Sequence, residues 1–146
     1  MASGDEGLLT ISIGMRVSPE PEAVELLRRY NVALNYAINE ILRLNLKKIG
    51  EVHSALYREL EEWFGLPPRT AVDCYRDALA NANAWRNNPK KGRKPRVRRL
   101  SMWLYPGQSY WIRDGYVEIA GGIKLRIIGW DGRYDGHENG EARLVY

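Results

Sequence analysis

The order in which hydrophobic periodicities follow one another limits the fold of this chain more than any single motif. One alternating segment, residues 9–17, precedes three segments with helical spacing, and alternation returns only after Leu100. Alternation with a period of two predicts strands, whereas apolar residues three and four apart predict amphipathic helices. Because an isolated strand has no partner of its own, we expect the N-terminal strand to join the C-terminal strands in one sheet.

The three helical segments fall between residues 19 and 89. Ser18 and Pro19 are typical of a helix start, and the first amphipathic pattern ends near Asn45. The second pattern covers about residues 50–64 and is closed by a glycine and two prolines. The third covers about residues 70–87 and is closed by a proline. The chain is therefore predicted to form three helices in succession.

The C-terminal third contains four strand-like runs, separated by Pro-Gly, Asp-Gly and Gly-Gly pairs and by a polar loop. These pairs are typical of tight turns between antiparallel strands. We expect an α+β fold in which a small antiparallel β-barrel or sheet of the oligonucleotide-binding type receives a three-helix insertion. The predicted β-barrel comprises residues 8–18 and 97–146, the helical lobe residues 19–89, and a basic connector residues 90–96.

Positive charge is concentrated in residues 90–99, termed the basic segment below. The seven cations of this segment are Lys90, Lys91, Arg93, Lys94, Arg96, Arg98 and Arg99. Without them, the remaining 15 Lys and Arg residues are outnumbered by the 18 acidic residues. Neutralisation of phosphates by such cations releases counterions, which is the main source of sequence-independent affinity for nucleic acid. The segment therefore predicts a polyanionic partner, and a solvated loop is the alternative.

Aromatic side chains follow the basic segment directly along the chain. Trp103, Tyr105 and Tyr110 lie on or beside predicted strands, where aromatic rings can stack on bases. Met102 and Leu104 alternate with the first two rings, so an aliphatic pair in the core would direct the aromatic pair outward. We therefore predict that the three aromatic residues contact nucleic acid. The alternative is that they belong to the core.

Asparagine recurs at every fourth position of the first predicted helix, at Asn31, Asn35 and Asn39. Residues four apart lie on one face of a helix. Because asparagine has a low helix propensity, the three residues lower the stability of this helix. Amide side chains can contact phosphates, sugars or base edges, and we include the three residues in the predicted interface. A hydrogen-bonded seam against another helix is the alternative.

Groups that could support catalysis are sparse in this sequence. His53 and His137 are the only histidines, and Cys74 is the only cysteine. Five potential metal ligands crowd one loop, but their spacing matches neither a calcium loop nor a zinc site. They are Asp131, Asp135, His137, Glu138 and Glu141. We expect no catalytic residues, no metal and no cofactor, and a metal-dependent nuclease built on this loop is the alternative.

The sequence gives no sign of export or of a membrane anchor. Acidic residues stand near the N-terminus where a signal peptide requires basic ones, and no apolar run approaches the length of a membrane span. A single cysteine excludes an internal disulfide and fits a reducing compartment. We therefore expect a cytoplasmic protein with no membrane partner.

Three segments carry a family resemblance: "ALYRELEEWFGLPPRTAVDCYRDALANANAW", "LYPGQSYWIRDGYVEIAGGIKLRI" and "ARLVY". Together they resemble the N-terminal portion of TnpB-type proteins of insertion sequences, which are relatives of type V CRISPR effector nucleases. The resemblance covers about residues 9–146, and its most specific parts are the Phe-Gly-Leu-Pro helix start and the Pro-Gly-Gln-Ser-Tyr strand. It implies a wedge-like oligonucleotide-binding barrel that is interrupted by a helical recognition lobe and holds guide RNA and target-adjacent duplex.

Cleavage in the TnpB-type family belongs to a following RuvC-like domain with three acidic residues and an inserted zinc ribbon. Neither feature occurs within these 146 residues. The resemblance therefore implies a non-catalytic, transposon-related module that binds RNA, single-stranded DNA or target DNA. The alternative is the non-catalytic half of a split RNA-guided nuclease, whose partner would be a separate RuvC-like nuclease chain.

Overall fold

The computed structural model describes residues 14–129 and 140–146, and it has an α+β fold. Its elements in chain order are β1 Arg16–Val17, α1 Pro21–Arg43, α2 Ile49–Glu62, α3 Pro68–Arg86, β2 Ser101–Leu104, β3 Tyr110–Arg113, β4 Tyr116–Ile119, β5 Ile123–Gly129 and β6 Ala142–Val145. The predicted succession of one strand, three helices and further strands is confirmed. Residues 8–13 of the predicted first strand lie outside the described residues.

The strands form two antiparallel sheets. A four-stranded sheet has the order β1-β5-β4-β3, and a two-stranded sheet pairs β2 with β6. The first strand pairs with β5, with Val17 opposite Ile127, so the predicted pairing across the helices is confirmed. Among the described strands, the hydrogen-bonded ladders do not close into a barrel.

The first helix begins two residues later than predicted because Ser18 is bound to the sheet. The Ser18 N–H donates to the Arg126 carbonyl at 2.8 Å, and the Ser18 Oγ accepts from the Arg126 N–H at 2.9 Å. The helix therefore starts with Pro21 in its first turn, a position where the missing N–H of proline has no cost. None of the helices within the described ranges has the length and apolar character needed to cross a membrane.

Two of the predicted tight turns connect the strands of the larger sheet. Asp114 and Gly115 both have positive φ, 50° and 81°, which suits the short turn between β3 and β4. Gly121 and Gly122, with φ of 91° and 78°, form the turn between β4 and β5. A side chain at Gly121 would also approach Pro67 at the start of α3, since a Cβ there would lie 3.3 Å from its Cγ. The turn is therefore packed against the helical part.

One hydrophobic core joins the helices to both sheets. Helices α1 and α3 pack against each other, and Tyr30 of α1 is completely buried between them and β2. Larger apolar side chains from both sheets enter the same core, among them Met102, Leu104, Val117, Ile119 and Leu125. Because β2 is anchored in this core, it also fixes the C-terminal end of the basic segment, which directly precedes it in the chain.

Candidate nucleic-acid interface

The basic segment is held against α1 at Val97. The Val97 N–H donates to Asn35 Oδ1 at 2.8 Å, and its carbonyl accepts from Asn35 Nδ2 at 2.8 Å and from Asn31 Nδ2 at 2.9 Å. Both backbone hydrogen-bonding groups of Val97 are therefore satisfied by α1 side chains, as buried backbone groups require. We term this arrangement of Asn31, Asn35 and Val97 the asparagine clamp.

The clamp leaves the charged side chains of the segment exposed. Pro95 and Val97 are partly buried, and Val97 packs against the core, whereas all seven cations of residues 90–99 are exposed. Arg96 and Arg98 lie on either side of Val97 and line a shallow groove with Asn31. The segment is therefore fixed through an uncharged residue while its cations face outward.

A second contact fixes the beginning of the segment. The indole N–H of Trp85, near the end of α3, donates to the Gly92 carbonyl at 3.2 Å. The Lys90 N–H donates to Oδ1 of Asn88 at 2.9 Å, two residues after the end of α3. The basic segment is thus joined to the end of α3 and to the middle of α1, although it contains neither helix nor strand.

The asparagine stripe divides into two parts. Asn31 and Asn35 form a seam, as the alternative reading of the stripe anticipated, but the seam is with the basic segment and not with another helix. Because Val97 binds both ends of the Asn35 amide and the Nδ2 of Asn31, we assign the two residues to positioning the segment. Contact of nucleic acid with the Asn31 Oδ1 stays a prediction. Asn39 lies one turn further along α1 and is exposed, so its contact with nucleic acid stays a prediction.

The alternation in β2 has the predicted direction. Met102 and Leu104 are 0% and 4% exposed, while Trp103 and Tyr105 lie on the opposite face and are half-buried. Their rings pack together with centroids 5.3 Å apart and planes inclined by 32°. The aromatic pair is therefore an outer feature of the two-stranded sheet and not part of the main core.

Two arginines that the sequence did not indicate lie over the aromatic pair. Arg143 is directly opposite Trp103 on β6, and its guanidinium carbon is 5.7 Å from the Trp103 ring centroid. The guanidinium carbon of Arg69, from the first turn of α3, is 5.1 Å from the Tyr105 ring centroid. These distances are typical of cation–π contacts. A base that approaches either ring therefore also meets a cation.

Buried carboxylates of α3 hold these arginines in place. Arg143 Nη2 donates to Asp77 Oδ1 at 2.8 Å, and Arg69 Nε donates to Asp73 Oδ1 at 3.1 Å. Asp77 also accepts a 2.8 Å hydrogen bond from the Tyr30 hydroxyl. The hydrogen bond to Asp77 raises the pKa of Arg143, and burial raises the pKa of Tyr30 well above its usual value. Each guanidinium thus lies between a carboxylate and an aromatic ring.

Tyr110 is buried, so the prediction that its ring stacks on bases is wrong. The residue is 6% exposed, and its hydroxyl donates to the Gly140 carbonyl at 2.6 Å. Burial raises the pKa of Tyr110 as well. The physical reason is the register of the larger sheet, in which Tyr110 is opposite Ile119 and shares its buried face. The neighbouring Trp111 lies on the other face.

Most of the loop on which the alternative of a metal-dependent nuclease depends lies outside the described residues. This applies to Asp131, Asp135, His137 and Glu138, whereas Glu141 is described and exposed. Within residues 14–129 and 140–146, no group of three or more His, Cys, Asp or Glu residues could hold a metal ion. His53 lies with its Nδ1 2.8 Å from the Tyr75 hydroxyl, and Cys74 is completely buried.

The chain was also compared with known protein families, and no family model matches it. The resemblance to TnpB-type proteins therefore rests on the sequence segments quoted above. What the structure contributes independently is an arrangement in which a row of exposed cations precedes an aromatic pair beneath two arginines.

Asp73 makes the stability of this region depend on pH. It is completely buried, and its Oδ2 has no hydrogen-bond partner among the described residues. Burial raises the pKa of Asp73 above the usual 3.8, and the nearby side chains of Ser109 and Arg69 offset only part of this increase. Because the folded-state pKa exceeds the unfolded one, the contribution of Asp73 favours folding at low pH and is lost as pH rises through the folded pKa.

We therefore expect Asp73→Asn to stabilise the protein near neutral pH, on the order of 1 kcal/mol, because the cost of burying this charge exceeds what its pairing with Arg69 returns. The gain should disappear below about pH 4, where the carboxyl of the unmodified protein is already protonated. Urea unfolding at both pH values measures the effect. Asp77→Asn is the matched control and should destabilise, since Asp77 binds both Tyr30 and Arg143. A loss of stability in Asp73→Asn near neutral pH would contradict the expectation.

Proposed function

We propose that the protein is a non-catalytic nucleic-acid-binding module that binds single-stranded RNA or DNA through the basic segment. The observation that supports the proposal is the asparagine clamp, which fixes the backbone of the segment while its seven cations remain exposed. A loop that only solvates charge has no need of such fixation. A fixed row of cations loses less conformational entropy when it meets a row of phosphates, which favours binding.

The aromatic pair supplies the second part of the proposed interface. Trp103 and Tyr105 follow the last cation of the segment within a few residues, and Arg69 and Arg143 lie beside their rings. Guanidinium groups bind phosphate, and aromatic rings bind bases by stacking. A nucleotide at this position would therefore find partners for both its phosphate and its base.

The finer form of the proposal follows from the resemblance to TnpB-type proteins. In this form the module is transposon-related, its strands belong to an oligonucleotide-binding barrel, and it holds RNA or target DNA for a RuvC-like nuclease. Such a nuclease would be a further part of the same protein or a separate chain. The pairing of β1 with β5 across three intervening helices supports this form, because it places a helical insertion within the β-structure.

The clamp provides the test of the proposed function. We expect Asn35→Ala to weaken binding of a single-stranded oligonucleotide about three- to tenfold, because the segment must then be ordered during binding. The slope of log affinity against log salt should not change, since all cations remain. Fluorescence anisotropy with a labelled oligonucleotide over a range of salt concentrations measures both quantities.

Asn39→Ala serves as the control for the stability of the clamp variant, because contact of Asn39 with nucleic acid is itself predicted. It makes the same substitution one turn further along α1, at an exposed position. It should retain the full unfolding free energy, whereas Asn35→Ala should lose about 1–2 kcal/mol with its hydrogen bonds to Val97. If Asn35→Ala loses stability as expected but keeps its oligonucleotide affinity, the proposal that the clamped backbone of the basic segment favours binding would be contradicted.

A further inference from the structure

The four-stranded sheet has one face in the core and one face that carries cations and aromatic rings. On β4 and β5, Val117, Ile119 and Leu125 are buried, so the residues that alternate with them lie on the opposite side. That side, termed the outer sheet face, presents Trp111, Arg113, Tyr116, Glu118, Lys124 and Arg126. Three cations and one acidic residue give it an excess of positive charge.

The register of the sheet places Tyr116 between two arginines. Tyr116 is directly opposite Arg113 on β3 and directly opposite Arg126 on β5. Neighbouring strands lie about 4.8 Å apart, so Tyr116 has an arginine on each side within reach of a single bound nucleotide. Both arginines are exposed, and the tyrosine is 42% exposed although β4 is a central strand.

The adjacent row of the same face repeats this combination of ring and charge. Trp111 on β3 is opposite Glu118 on β4, and Glu118 is opposite Lys124 on β5. Trp111 and Tyr116 therefore occupy neighbouring rows of one exposed surface. Tyr116 lies on a central strand, where a large ring normally packs beneath a helix, and here the core with its three helices lies on the other face.

We propose that the outer sheet face is a second binding surface, which takes unpaired bases of single-stranded nucleic acid. A base would stack on Tyr116, with Trp111 available to the next base, while Arg113 and Arg126 neutralise the flanking phosphates. The inference rests on the proposed function, but it concerns separate residues. It complements the basic segment, whose cations are exposed but whose neighbouring rings already lie beneath arginines.

Charge complementarity and ring exposure together favour this occupant. An acidic peptide would satisfy the cations of the outer sheet face but would leave the exposed Tyr116 ring and the half-buried Trp111 ring without a planar partner. A duplex presents phosphates but keeps its bases stacked on one another. Only an unpaired strand offers both phosphates and free base faces at the spacing of neighbouring nucleotides.

The test compares two single strands of equal length, an oligothymidylate and an abasic deoxyribose phosphate oligomer, each bound to the full chain. We expect Tyr116→Ala to weaken oligothymidylate binding about five- to a hundredfold and to leave abasic binding unchanged, because only bases stack. Tyr116→Phe retains the ring and should bind both strands like the unmodified protein. Equal effects of Tyr116→Ala on the two strands, including no effect on either, would overturn the proposal.

A second variant keeps the test valid if Tyr116→Ala does not fold. The double substitution Arg113→Gln and Arg126→Gln should reduce the salt slope of oligothymidylate binding by about 1.4, the value for two phosphate contacts on a single strand. An unchanged slope would overturn the proposed phosphate contacts. Displacement of oligothymidylate by polyglutamate as effectively as by a second oligothymidylate would also overturn it, because stacking would then contribute nothing.

The two proposals fail in different ways. If the unmodified protein binds neither the oligothymidylate nor the abasic strand, the proposed function fails and takes the second surface with it. If it binds both, and the variants of the outer sheet face bind both equally well, only the second surface is refuted. Melting curves of each variant establish that the fold is retained.

Discussion

We expect a roughly thousandfold loss of affinity for single-stranded oligonucleotides, at about 0.1 M salt, when five cations of the basic segment are replaced by alanine. The five are Arg93, Lys94, Arg96, Arg98 and Arg99. The loss follows from counterion release. Each phosphate contact adds to the slope of log affinity against log salt, so the loss of five contacts costs most affinity at low salt. Since all five side chains are exposed, the fold should persist, and melting curves check this.

The control for this variant preserves charge and changes shape. Replacing the four arginines of the segment by lysine keeps seven cations and should retain most of the affinity, since sequence-independent binding depends on charge. The affinities of the alanine variant and the unmodified protein should converge as the salt concentration approaches about 1 M. Equal affinity of the two proteins at about 0.1 M salt would exclude the basic segment from the interface.

The largest loss of stability is expected for Asp77→Ala, which should lower the unfolding free energy by about 3 kcal/mol. Asp77 is 2% exposed and accepts from the Tyr30 hydroxyl and from Arg143. Its removal leaves a completely buried hydroxyl without its acceptor. Arg143 is 45% exposed, and water can solvate its guanidinium once the carboxylate is removed. The lost ion pair therefore contributes less to the expected destabilisation than the lost hydrogen bond of Tyr30. Thermal melting should show a decrease of roughly 10 °C.

Glu62→Ala is a suitable control for Asp77→Ala because Glu62 is an exposed acidic residue at the end of another helix. It should change the unfolding free energy by less than about 0.5 kcal/mol. Asp77→Asn should fall between the two, because the amide oxygen still accepts from Tyr30 while the charge opposite Arg143 is lost. A melting temperature of Asp77→Ala close to that of Glu62→Ala would contradict the structural importance of this carboxylate.

The parts of the fold that local periodicity determines could be predicted from the sequence. Three amphipathic patterns gave the three helices, and the alternation in β2 correctly separated Met102 and Leu104 from Trp103 and Tyr105. The pairing of the first strand with a C-terminal strand could also be predicted, because the backbone N–H and C=O groups of a lone strand need hydrogen-bond partners on another strand.

Contacts between distant segments could not be predicted, because a helical stripe identifies a face and not its partner. Asn31 and Asn35 bind Val97, which lies 66 and 62 residues further along the chain. Nothing in the local sequence marks Val97 as their hydrogen-bond partner. Similarly, Arg143 is opposite Trp103 only in the register that the folded β2–β6 pair adopts. Local patterns therefore located the basic segment, but they could not show that it is clamped.

The choice between Tyr110 and Trp111 illustrates the same limit at a single position. Two aromatic residues in succession necessarily occupy opposite faces of a strand, and the sequence does not say which face is buried. Pairing with β4 places Tyr110 beside Ile119 in the core and Trp111 opposite Glu118 on the outer sheet face. The ring on the outer sheet face is therefore that of Trp111 and not that of Tyr110.

The most direct test of the basic segment as a nucleic-acid interface is the salt dependence of binding by the unmodified protein. Fluorescence anisotropy with a labelled single strand gives the association constant at each salt concentration, and the plot of log affinity against log salt gives the slope. With seven exposed cations on phosphates, the predicted slope approaches about −5. A slope near zero, or no binding at low salt, would contradict the account.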